Sequence, residues 1–143
     1  MPSPTHGRVT VKIDSGDTAW VIVSAALVMF MTPGLALFYG GMVRTKNVLG
    51  MLVQNFFALG LVSVLWAVVG YSLAFGGTGA WIGNFDFFGL HHAAKEVAPG
   101  LELTIPPLTF MSYQMMFAVI TPALITGAIA DRMRFSAWVW FMG

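Results

Sequence analysis

The residues of this chain most able to do chemistry lie in one short stretch, FMSYQMMFAVITP, at 110–122. Phe110, Gln114, Phe117 and Thr121 are spaced four, three and four apart, so on a helix they share one face. Tyr113 lies one turn before Phe117 and borders the same stripe. A face that mixes rings with an amide and hydroxyls matches lipid poorly and belongs against protein or a water-filled vestibule. A ring in that position can stack on an incoming cation or plug its route. Phe117 falls roughly 13 Å below the start of a helix that begins at Leu108. The alternative is ordinary packing, with the Gln114 amide bridging to a neighbouring helix.

Other candidates are weaker. His91 and His92 are adjacent and lack a third ligand at useful spacing, so they read as a solvated loop and no metal is expected. His6 sits in a polar tail. Asp86 and Glu96 lie far apart in a loop, and neither a nucleophile elbow nor a phosphate loop is present, so no catalytic constellation and no cofactor is expected. The chain reads as a non-enzyme. Asp131, Arg132 and Arg134 either mark membrane topology alone or contact a regulator.

The elements that must carry the stripe are membrane helices. Of 143 residues, 57% are hydrophobic and only 9% charged, against the ~25% charged of soluble domains. A water-soluble fold with so few charges could not cover its own surface. Net charge is +1, which offers nothing to nucleic acid, and the absence of cysteine excludes disulfides and thiolate chemistry. From Thr18 through Val43 no charged residue occurs, a run longer than the ~20 apolar residues a spanning helix needs. Pro33-Gly34 should kink that helix, and Gly40-Gly41 should end it. Spans are expected at about 18–39, 48–75 and 108–130, with a fourth starting at 137 and cut short. Residues 1–17 form a polar tail. Arg44, Lys46, Arg132 and Arg134 fill the two short connections. By the excess of basic residues in cytoplasmic loops, those connections face inward, and the tail and the 76–107 connection face outward. Trp20 and Trp81 fit interface anchors. The fold class is all-α and polytopic.

Three blocks carry a resemblance: FMTPGLALFYGGMVRTKNVL at 30–49, LWAVVGYSLAFG at 65–76, and the 110–122 stretch followed by GAIADRMRFSAW at 127–138. They are similar to the N-terminal part of the ammonium transporter family (Amt/Mep/Rhesus), and most like its bacterial Amt branch. The resemblance covers nearly everything from Asp17 onward; the tail 1–16 and residues 77–104 match nothing usable. It implies three spans and the start of a fourth of an eleven-helix fold with inverted repeats, a pore through each subunit of a homotrimer, and residence in the cell membrane. It implies ammonium as substrate, recruited at an outer aromatic vestibule, with ammonia crossing and the proton routed separately. Phe117 falls on the family's first gate phenylalanine, Tyr113 on the vestibule aromatic one turn earlier, and Gln114 on a neighbouring glutamine. Tyr113 departs from the commoner phenylalanine by a hydroxyl. The pore histidines, recruiting tryptophan and second gate ring belong to later helices, so this stretch alone is not expected to conduct. A PII-type signalling protein is an implied cytoplasmic partner. The rival reading is an ammonium sensor of the same fold.

Overall fold

The computed structural model describes residues 13–77, 81–91, 93–94 and 101–143; Arg8, Lys12, His6 and His92 lie outside these. Every regular element among the described residues is helical. Helix α1 (Ser15–Met42) opens at Asp14, whose carboxylate accepts the Asp17 backbone N–H at 2.9 Å and so satisfies a donor the first turn leaves orphaned. The helix runs through Pro33 and ends at Met42, one residue past Gly40-Gly41. Gly40 is buried, and a side chain there would meet Val48. That glycine also serves close approach between helices.

After a 3₁₀ turn at Thr45–Asn47, helix α2 (Val48–Leu65) passes into a π turn at Trp66–Gly70 and then α3 (Tyr71–Phe75). The Tyr71 N–H bonds to the Trp66 carbonyl, five residues back. Such a turn holds an extra residue and rotates everything after it around the helix axis. Thr45–Phe75 remains long and apolar enough to cross a membrane as one unit, as do α1 and α4 (Pro107–Ile129). Helix α4 starts at Pro107, where a missing N–H costs nothing, and it too continues through an internal proline, Pro122. The short helix α5 (Phe135–Met142) follows.

α1, α2 and α4 pack pairwise. Their shared seam holds Thr32, Ala36 and Gly40 of α1, Met51, Asn55 and Ala58 of α2, and Val119, Ala123 and Thr126 of α4, all buried. Small residues let backbones approach, which is how helices associate when lipid removes the hydrophobic drive between them. At the centre, Asn55 donates to the Met51 carbonyl at 2.9 Å and to the Thr126 hydroxyl at 3.2 Å. That hydroxyl in turn donates to the Ala123 carbonyl at 2.6 Å.

Each end is tied separately. At one, the Asp14 N–H bonds to the Thr104 carbonyl at 2.8 Å, and the Thr104 hydroxyl donates to Asp17 at 2.6 Å. At the other, the Asn47 amide donates to the Asp131 carboxylate. The start of α1 and the connection into α4 therefore share one end, and the turns carrying Arg44, Lys46, Arg132 and Arg134 share the opposite one.

Thr126→Val leaves an Asn55 N–H without its interhelical acceptor. It should lower the stability of the full-length protein by about 1 kcal/mol, read as a drop in the thermal midpoint in detergent. Adding Asn55→Leu should restore most of the loss; a double variant worse than the single would show that the pair does not act as a unit.

Candidate functional site

Helix α4 carries apolar residues on every side, so their placement does not say which side is covered. Packing decides it. Val119, Ala123 and Thr126 turn toward α1 and α2 and are buried, and Met111 is buried against Tyr71 and Phe87. Phe117, at 41% exposure, lies on the opposite flank with Thr121 and Leu124. The Thr121 hydroxyl donates to the Phe117 carbonyl at 2.7 Å, so it is satisfied within the helix. Gln114 and Tyr113 are half-buried along the edges of this flank, and the Tyr113 ring meets the Phe117 ring edge to face at 5.0 Å. Among the described residues, no hydrogen-bond partner reaches the Gln114 amide.

Phe110 forms the upper margin of the stripe and is held differently. Its ring meets Phe75 edge to face at 5.2 Å. Phe75 packs on Tyr71 at 5.3 Å, and Tyr71 on Phe87 at 5.7 Å, in a cluster that also includes Trp66 and Met111. The π turn allows this: Tyr71 and Ser72 are both buried just after it. Ser72 then anchors the following loop, donating to the Asn84 carbonyl at 2.8 Å and accepting from the Phe87 N–H at 3.0 Å. Gly83 lies so close to the helix end that a side chain there would come within 2.6 Å of the Gly76 and Ser72 carbonyls. The loop packs against the second span and backs the aromatic cluster.

The stripe can therefore present ring faces, an amide and a hydroxyl to whatever enters, with no carboxylate on α4 to trap a cation. No motif in the sequence marks the polar seam at Asn55 and Thr126 or the lock at Ser72. The signal available for Asn55 was an amide inside an otherwise apolar run; for the π turn, nothing local distinguishes WAVVG from ordinary helix. Of the adjacent histidines, only His91 is described, and it is not free of contacts.

The family model described as Ammonium Transporter Family matches residues 19–143. The chain belongs to the ammonium transporter family. It is 48% identical over 145 residues to an ammonium transporter of Mycobacterium bovis, covering 91% of this chain and 30% of that protein. Over 127 residues it is 47% identical to an ammonium transporter of Bacillus subtilis, covering 88% and 31%. The crystal structure of Candida albicans Mep2 superposes with a TM-score of 0.80 at 31% identity, covering 92% of this chain and 29% of that one. This family member is thus a multi-pass membrane protein of the all-helical ammonium transporter fold, and the chain spans about 30% of the length of the curated relatives it matches.

Cysteines placed one at a time in an otherwise cysteine-free full-length protein probe the two flanks. Tyr113→Cys and Phe117→Cys should react with a membrane-impermeant thiol reagent, and Val119→Cys should not. Equal protection at all three positions would mean that the flank is sealed by lipid or protein.

Proposed function

We propose that the full-length protein carries ammonium across the cell membrane, and that Phe117, Tyr113 and Gln114 line the entrance to its route. The observation that carries the reading is the flank of α4 turned away from α1 and α2, where a ring, a second ring at 5.0 Å and an amide with no hydrogen-bond partner among the described residues lie together. Membership of the family supports ammonium as the substrate. Phe117 acts as a gate: its ring face attracts the cation and its bulk blocks hydrated ions.

The energetics limit what this gate can do. A cation–π contact contributes ~0.5 kcal/mol when exposed and about 2 when desolvated. Moving a bare ammonium into a low-dielectric interior costs tens of kcal/mol on an ideal Born estimate. The aromatic flank can concentrate the ion but cannot carry it through. In our reading the ion gives up its proton below the gate, ammonia crosses, and the proton is routed separately by groups outside this chain. By the same arithmetic these 143 residues do not conduct alone.

Orientation follows from charge. Arg44, Lys46, Arg132 and Arg134 lie at one end, and basic residues in short connections stay in the cytoplasm. The N-terminus, the Thr104 tie and the mouth above Phe117 are then extracytoplasmic. The functional assembly is a homotrimer, and Asp131, Arg132 and Arg134 offer a cytoplasmic contact to a PII-type regulator.

Phe117→Ala should weaken the apparent affinity for methylammonium by between about 2-fold and about 30-fold, the range set by the cation–π term. It should also erode discrimination against potassium. Unchanged uptake together with unchanged discrimination removes the gate. For orientation, Glu102→Cys should label from outside whole cells and Thr45→Cys should not; the reverse pattern inverts the topology.

A further inference from the structure

Ser72 is buried just after the π turn, and its hydroxyl works in both directions. It donates to the Asn84 carbonyl at 2.8 Å and accepts the Phe87 N–H at 3.0 Å. The extra residue of the turn puts it there; an uninterrupted α-helix would leave Ser72 turned by about 100° round the axis. Two other bonds hold the loop to the same helix end, from the Gly83 N–H to the Leu73 carbonyl at 2.7 Å and from the Asn84 N–H to the Gly76 carbonyl at 3.1 Å. Those two fix residues 83 and 84, whereas the Phe87 N–H relies on Ser72. Phe87 is itself buried, and its ring begins a continuous train: Phe87 packs on Tyr71, Tyr71 on Phe75, and Phe75 on Phe110 of α4. One hydroxyl on the second span is thus joined by rings to the upper margin of the stripe.

We propose that Ser72 is a positioning residue for the entrance at Phe117. Its hydroxyl seats Phe87, the ring train sets the place of Phe110, and Phe110 is the first ring an incoming cation meets, roughly 10 Å outward of Phe117 along α4. The inference rests on the entrance proposed above and extends it to a side chain that touches no ion. Ring placement matters because a cation gains from an aromatic face only within about 6 Å of its centroid. A hydroxyl suits the position because it donates and accepts at once in little space. Alanine there would leave the buried Phe87 N–H without a partner, and residues 85–87 would shift to satisfy it. The Gly83 and Asn84 bonds would still hold the loop on the helix end, so the change displaces the rings without unfolding the loop.

The test measures methylammonium uptake by the full-length protein in proteoliposomes. Ser72→Ala should raise the apparent KM by about two- to fivefold, the loss of one exposed cation–π contact, with the maximal rate unchanged. Phe110→Leu should do the same, and adding Ser72→Ala to Phe110→Leu should raise KM no further, because both act through one ring. Phe87→Leu breaks the ring train while keeping every hydrogen bond; it should raise KM by a similar factor, and it carries the test if Ser72→Ala does not fold. Ile82→Ser, exposed on the same loop and outside the ring cluster, should leave KM alone. A Ser72 that only stabilises the fold would lower the thermal midpoint with KM unchanged, or add its effect to that of Phe110→Leu, and either result overturns the proposal. So does an unchanged KM in Phe87→Leu. If Phe117→Ala alters uptake while Ser72→Ala and Phe87→Leu do not, this inference fails and the entrance stands; if Phe117→Ala changes nothing either, both fall.

Discussion

How closely the three long helices approach one another governs everything else in this structure. In lipid there is no hydrophobic gain from bringing two apolar helices together, so dispersion at short range and a few interhelical hydrogen bonds hold them. The seam meets that demand with small side chains: Thr32, Ala36 and Gly40 face Ala58, Ala123 and Thr126. Gly127 shows how tight the approach is, since a Cβ on it would sit 2.7 Å from the Tyr39 ring, whose hydroxyl donates to the Leu124 carbonyl at 3.2 Å. The buried Asn55 amide bridges α2 to α4 where a polar group without a partner would be costly. Because α4 commits Val119, Ala123 and Thr126 to this seam, Phe117 stands on the other side.

That asymmetry makes the Phe117 flank available. The ring is not wedged between α1 and α2; it stands half-open beside Tyr113. Above it, Phe110 is immobilised by the cluster that the π turn assembles from Trp66, Tyr71 and Phe75. The two phenylalanines of the stripe differ in packing: Phe110 is fixed against Phe75, and Phe117 stands half-open. The proline within α4, five residues beyond Phe117, removes one backbone donor in the next turn without ending the helix.

The two ends of the bundle are chemically unlike. At the end of Asp14 and Thr104, acids and a hydroxyl tie the first helix to the entry of α4. At the other, Asn47 and Asp131 make the tie, and no ion pair with a described residue holds the nearby Arg44, Lys46, Arg132 and Arg134.

Much of the architecture was legible in the residue order. Charge-free runs longer than a bilayer's thickness become membrane helices because backbone groups in hydrocarbon must find partners within the same segment, a local requirement that hydropathy reports directly. The same locality placed Phe110, Gln114, Phe117 and Thr121 on one face, since helical spacing alone decides it. The family blocks identified the fold. Gly40 lies in the last turn of α1, and only the packed structure shows that it also lets α2 come close. Only the tertiary structure decided which side of α4 stays open, that Asn55 meets Thr126, and that Trp66 begins a π turn. Those outcomes depend on contacts between segments far apart in the chain, and α4, with apolar residues on every side, does not by itself choose among them.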